Sequence, residues 1–221
     1  MSHSERTVET PYGPARLVTD RARSPYATLL LGHGAGGGID SRDLEALAHH
    51  LPRHGVTVVR LEQPWRVAGR KVATPPPTLD GALVAAADQL RTRTPLVIGG
   101  RSAGARSAAR CASRLGAVGC LALAFPLHPP GKPEKSRLDE LLGAGLPTLV
   151  IQGERDTMGS PEEFPDHVDL TVVPTADHAF KTPARGGVSA AEAMAIIVES
   201  TLEWINREVA GAGGAGNGLP D

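Results

Sequence analysis

Ser102 stands between paired glycines, in Gly100-Arg101-Ser102-Ala103-Gly104, after one apolar run and before a helical one. A serine hydroxyl is a weak nucleophile until a base takes its proton. A G-x-S-x-G between strand and helix makes a turn sharp enough to lift the hydroxyl clear of a sheet edge. Glycines two residues to either side remove side chains that would clash in such a bend. The N–H of Ala103, at the helix start, would donate to an oxyanion, and the helix dipole adds positive potential there. In a chain with 26 glycines the five-residue pattern arises easily by accident. The strand before it and the helix after it give it weight.

The hydroxyl needs a base, and the base needs an acceptor behind it to hold its tautomer and steady its charged form. His178, in Ala176-Asp177-His178-Ala179, lies in a loop just past a β-branched run, where the catalytic loops of open α/β sheets gather. Asp156 follows another apolar run as Gly153-Glu154-Arg155-Asp156, and the order Ser102, Asp156, His178 is that of the α/β-hydrolase fold. Each has an ordinary competitor. His128 also lies beyond a strand, but it precedes the acid and its neighbours Pro129 and Pro130 read as a wall. Glu154 and Asp177 rival Asp156, and Asp177 is too close in sequence to His178 for an easy side-by-side bond. A second oxyanion donor is expected from Gly32-His33-Gly34-Ala35-Gly36-Gly37-Gly38, at the N–H of Ala35. Arg101, Arg106, Trp65 and His128 are further candidates to line the site; surface charge and core packing are the competing account, and the favoured one for Arg106.

The same loop spells G-x-G-x-x-G at Gly32, Gly34 and Gly37, with Glu62 at the end of the next strand, as a dinucleotide-binding fold would have it. Glu62 lies about thirty residues from Gly32 where roughly 20 are expected. That reading also leaves Ser102, Asp156 and His178 without a purpose. His49, His50 and His54 could suggest a metal, yet no third ligand accompanies His50 and His54 on one face, and exposed histidines are the simpler account.

The elements that must carry these residues are legible as an alternation. Apolar runs at Ala27–Leu31, Val56–Leu61, Pro95–Gly100, Gly119–Ala124 and Thr148–Gly153 read as buried parallel strands, with Val168–Val173 a sixth and Ala15–Thr19 an antiparallel edge strand. Helices are expected from Asp40 or Ser41 to Arg53, and over Thr78–Leu90, Gly104–Leu115 and Ser189–Arg207. Strands alternating with helices predict a mostly parallel sheet covered on both faces.

Composition sets the outer limits. At 221 residues, 41% hydrophobic and 21% charged, the chain suits one globular domain. A net charge of -1 gives no general attraction to nucleic acid or anionic membrane. Cys111 and Cys120 read as buried thiols rather than a disulfide. The start has no apolar core of a signal peptide, and no run approaches the ~18 apolar residues of a membrane span. A cytoplasmic setting is the default expectation, and oligomeric state stays open. Residues 1–210 are expected to form the domain and 211–221 a flexible Gly-rich tail.

Several segments resemble the small α/β-hydrolases related to dienelactone hydrolase, in particular the branch like testis-expressed protein 30. They are Leu31-Gly32-His33-Gly34-Ala35-Gly36, Arg60-Leu61-Glu62-Gln63-Pro64-Trp65, Gly99-Gly100-Arg101-Ser102-Ala103-Gly104, the stretch from Phe125 to Pro133, and Asp177-His178. The resemblance implies the α/β-hydrolase fold and supports Ser102, Asp156 and His178 as a triad. Enzymes similar to dienelactone hydrolase often use a cysteine nucleophile, whereas this chain has Ser102, so lactone chemistry is not carried over. About twenty residues separate Ala124 from Thr148, too few for a large lid. The expectation is a serine hydrolase that cleaves small ester or thioester substrates, with a small-molecule acyl substrate as partner and no cofactor or metal. A catalytically silent module of the same fold is the alternative, and a dinucleotide-binding protein a weaker one.

Overall fold

The computed structural model describes residues 2–90 and 92–210. Among them an eight-stranded sheet is built from β1 (Ser2–Thr10), β2 (Gly13–Arg21), β3 (Ala27–Gly32), β4 (Val56–Glu62), β5 (Leu96–Arg101), β6 (Gly119–Leu123), β7 (Thr148–Gly153) and β8 (Asp169–Val173). Its order is β1-β2-β4-β3-β5-β6-β7-β8. Strands β3 to β8 run parallel, and β1 and β2 form an antiparallel hairpin that joins the sheet through β4.

Helices cover both faces: α1 (Arg42–His50), α2 (Pro64–Val67), α3 (Pro76–Asp88), α4 (Ala103–Cys111), α5 (Leu138–Leu142) and α6 (Ala190–Ile205). Alternate residues of each strand point to opposite sides. Leu30, Val59, Ile98, Ala122 and Val150 pack with Leu83, Ala105, Ala108 and Leu141 of α3, α4 and α5. Leu29, Leu31, Val58, Val97, Leu121 and Ile151 pack on the other side with Leu44, Leu47, Ile197 and Trp204 of α1 and α6. The apolar runs lack a two-residue rhythm because both of their faces are covered.

The structure departs from the sequence reading in particular places. The strand expected at Ala15–Thr19 spans Gly13–Arg21 and is not the edge; β1 lies outside it. β1 has an almost wholly exposed pattern with Val8 buried, so it carried no apolar signal. The helix expected to reach Arg53 ends at His50 and tightens into a 3₁₀ turn, Leu51–His54, where Pro52 has no N–H to continue the ladder. Ser41 takes the N-cap position without a side-chain cap bond. The helix expected at Thr78–Leu90 begins at Pro76 and ends at Asp88, since proline suits the first helical turn. α6 starts as expected behind Ser189, whose hydroxyl and Glu192 form a reciprocal capping box. α2 and α5 were not foreseen. Between β6 and β7 lie a 3₁₀ turn (Pro133–Lys135) and α5, and no large lid. The expected tail, 211–221, lies outside the described residues.

Candidate active site

Four strands deliver the site at their carboxyl ends. β5 ends in Arg101, and Ser102 then takes φ 52 and ψ -112 before α4 begins at Ala103. A positive φ at a residue with a side chain is strained and persists where the surroundings enforce it. Here the Ser102 N–H donates to the Leu123 carbonyl at 2.9 Å, which ties the turn to the end of β6. The flanking glycines let three backbones meet. A Cβ on Gly100 would sit 2.7 Å from the Gly32 carbonyl oxygen, and one on Gly104 would sit 2.4 Å from the same atom. α4 can therefore start against β3 only if both positions lack side chains.

Ser102, His178 and Asp156 come together. The His178 Nε2 lies 3.0 Å from Ser102 Oγ, and its Nδ1 lies 2.7 Å from Asp156 Oδ2. The carboxylate can only accept, so the proton sits on Nδ1 and leaves Nε2 to accept from the serine hydroxyl. Asp156 is buried, while the His178 side chain keeps 25% of its surface open to solvent. The rival acids are engaged elsewhere. Glu154 accepts from the Thr175 N–H, and Asp177 accepts from the N–H groups of Ala179 and Lys181, folding its own loop.

The glycine loop after β3 reaches the nucleophile at Gly34, where an added Cβ would lie 3.5 Å from Ser102 Cβ and 3.1 Å from Arg101 Nη1. His33 shapes this approach. Its Nδ1 donates to the Gly34 carbonyl at 2.8 Å, and its Nε2 accepts from the Gln63 N–H at 3.1 Å. Burial pushes its pKa down, in keeping with a neutral ring of one tautomer. In a trans peptide the N–H points opposite the carbonyl. The Ala35 N–H is thereby turned away from His33. Ala103, as the first residue of α4, has an N–H with no intrahelical partner.

Gln152 was not foreseen. From inside β7 the two N–H bonds of its Nε2 are shared among Asp156 Oδ2 at 2.9 Å, the Gly159 carbonyl at 2.7 Å and the Phe125 carbonyl at 3.2 Å. A lone polar residue in an apolar run was its signal. Of the other candidates, Arg106 pairs in two places with Glu140, at 2.8 and 2.6 Å. Trp65 is buried beside His33, with ring centroids 5.5 Å apart. His128 has Glu163 on one nitrogen and the Pro129 carbonyl on the other. Glu62, the acid of the dinucleotide reading, is ion-paired to Arg16 at 2.8 Å. His49, His50 and His54 are exposed. The cysteines are free and buried, with pKa values pushed by burial up to about 11 at Cys111 and about 12 at Cys120.

Known proteins share this framework. An α/β serine hydrolase without lid from Xanthomonas campestris superposes with a TM-score of 0.71 at 19% identity, over 100% of this chain and 98% of that one. Est1E of Butyrivibrio proteoclasticus gives 0.70 at 15% identity, over 91% and 98%. Dienelactone hydrolase from Anabaena variabilis gives 0.72 at 17% identity, over 94% and 98%. At such identities the likeness is one of fold. The family described as alpha/beta hydrolase domain matches residues 25–206. The chain belongs to the alpha/beta hydrolase domain family.

Proposed function

We propose that this protein is a serine hydrolase that cleaves small ester or thioester substrates through Ser102, His178 and Asp156. The observation that carries the reading is the continuous relay from Ser102 Oγ to His178 Nε2, at 3.0 Å, and from His178 Nδ1 to Asp156 Oδ2, at 2.7 Å, on a serine held at φ 52. His178 takes the hydroxyl proton as Ser102 Oγ bonds to the acyl carbon. The carbonyl electron pair moves onto oxygen, where the N–H groups of Ala35 and Ala103 receive it. Collapse of that intermediate expels the alkoxide or thiolate, which takes the proton from His178. Water then repeats the sequence on the acyl-enzyme, and the acid leaves. Every step is acid–base and nucleophilic chemistry that these side chains can perform by themselves.

The absence of a large lid supports small or exposed acyl groups over long chains. The Trp65 and proline-rich segments favour kinship with the branch like testis-expressed protein 30.

A fluorophosphonate probe followed by peptide mapping tests the reading. A single adduct on Ser102, abolished by His178→Ala, is expected. Ser102→Ala should lower kcat on the order of 10⁴- to 10⁶-fold if the three residues act as a unit. A folded protein that takes no label, or a Ser102→Ala variant that keeps most activity, overturns it.

A further inference from the structure

The reaction as drawn makes no use of Arg101, yet this side chain reaches both the base loop and the glycine loop. In β5 the two-residue rhythm puts Val97, Gly99 and Arg101 on the side of the sheet that faces α1 and α6. There the Arg101 Nε lies 3.2 Å from Asp43 Oδ2 of α1, with the two side chains 12% and 3% exposed. Its Nη2 donates to the carbonyl oxygen of His178 at 2.8 Å. Its Nη1 lies against Gly34, as the 3.1 Å approach to an added Cβ there shows. One planar group thus joins the residue before the nucleophile to the base loop, the oxyanion loop and α1.

The base loop is fastened to the end of β7, where Glu154 accepts from the Thr175 N–H and the Arg155 N–H donates to the Ala176 carbonyl at 2.8 Å, and Arg101 adds its tie to β5. Thr175 and Phe180 bracket His178 at φ 58 and φ 52, both strained for residues with side chains. Asp177 closes the loop upon itself, which shapes it without fixing it to β5. A buried ion pair is weak evidence of stabilisation, because desolvation offsets much of its attraction. Asp43 and Arg101 are therefore better explained by where they hold the guanidinium than by fold stability.

We propose that Arg101, anchored by Asp43, is a positioning residue that sets the distance between Ser102 and His178 and seats the glycine loop at Gly34. This rests on the proposed hydrolase reading. The place suits arginine: its planar group donates one hydrogen bond, to the His178 carbonyl, while it faces Asp43 as an ion pair and lies against Gly34, a spread that a lysine ammonium on a flexible stem does not reproduce. Arg101→Lys should lower kcat about 10- to 100-fold with KM nearly unchanged, the scale of loss for a misplacement of about 1 Å.

Arg101→Met alone leaves Asp43 buried without its ion-pair partner, its pKa already pushed up by burial, and risks unfolding. The companion variant is Arg101→Met with Asp43→Leu, which removes the pair together. Its Tm should stay close to wild type while kcat on a p-nitrophenyl ester remains at least tenfold down. Recovery of kcat together with Tm overturns the proposal, as does a fully active Arg101→Lys. A second readout needs no turnover. The His178 Nδ1 proton, bonded to Asp156, should give a downfield NMR resonance in the wild type that broadens or vanishes in the double variant. A resonance retained in both overturns the positioning role. Failure of wild-type Ser102 to take fluorophosphonate would count against the hydrolase reading, and the resonance would still decide the clamp.

Discussion

Asp156 contributes no exposed side-chain surface, so its acceptor capacity has to be met inside the protein. The Met158 N–H donates to Oδ1 at 2.8 Å, and Gln152 Nε2 and His178 Nδ1 share Oδ2. Gln152 thereby holds the acid from beneath while its two N–H bonds also reach the carbonyls of Phe125 and Gly159. Replacing it with leucine would strand acceptors in the interior, at about 1–3 kcal/mol for each group left unpaired. Gln152→Leu should lower stability to urea by at least that range and reduce kcat, since the carboxylate loses one of its two side-chain ties. An equilibrium urea titration of both proteins checks it, and a difference under about 0.5 kcal/mol, the ordinary scatter of a surface substitution, would refute it.

At the scale of elements, the loops after the strands must be fastened to one another. His128, after β6, donates its backbone N–H to the Met158 carbonyl at 3.1 Å, and its ring meets Glu163 beyond the Asp156 loop at 2.9 Å. Both ring nitrogens face acceptors, which favours the doubly protonated ring. The Pro129 carbonyl raises the His128 pKa, burial works against it, and Glu163 adds to the rise. Burial pushes Glu163 upward, but its hydrogen bonds from Ser160 and His128 outweigh that and leave it lowered. A raised histidine contributes fully below its unfolded value of about 6.5, and the contribution fades as pH rises through the higher folded value. A lowered glutamate contributes above its unfolded value of about 4.3 and fails as pH falls through the depressed one. The stability difference between wild type and His128→Gln should therefore be largest between those two unfolded values and shrink as the solution turns alkaline. Melting curves across pH 4 to 9 measure it, and a gap that widens at alkaline pH would contradict the clamp.

Among the described residues, two cavities lie at the opposite end of the sheet from the candidate site. Cavities of about 460 Å³ beside Pro147, Val168 and Trp204, and about 560 Å³ beside Thr28, Thr57 and Leu17, open near the amino ends of the strands. The carboxyl ends hold Ser102, which is partly exposed, and the β6–β7 connection there is short. An acyl chain buried in a tunnel would gain about 0.8 kcal/mol per methylene, roughly a fourfold rise in kcat/KM for each carbon. For this protein kcat/KM on p-nitrophenyl esters should level off or fall after a few carbons. A steady climb past about ten carbons would mean that the acyl group is enclosed.

The strand–helix alternation was legible in the sequence because burial on both faces makes parallel strands continuous apolar runs, and periodicity reports burial. Ser102, Asp156 and His178 could be singled out because strand ends and glycine spacing are local properties, and the structure brings the three side chains together. β1 was not, since one buried Val8 leaves a strand that reads as polar. Arg101 with Asp43, Gln152 with Asp156, and His33 with Gln63 were not legible either. Each pair joins residues whose proximity depends on how strands and loops stack, and no local spacing encodes it. The sequence by itself determined which residues could do chemistry and in what order along the chain. The tertiary structure alone decided which polar groups hold them in place, because a buried hydrogen bond is specified by distance in space and not by distance in sequence.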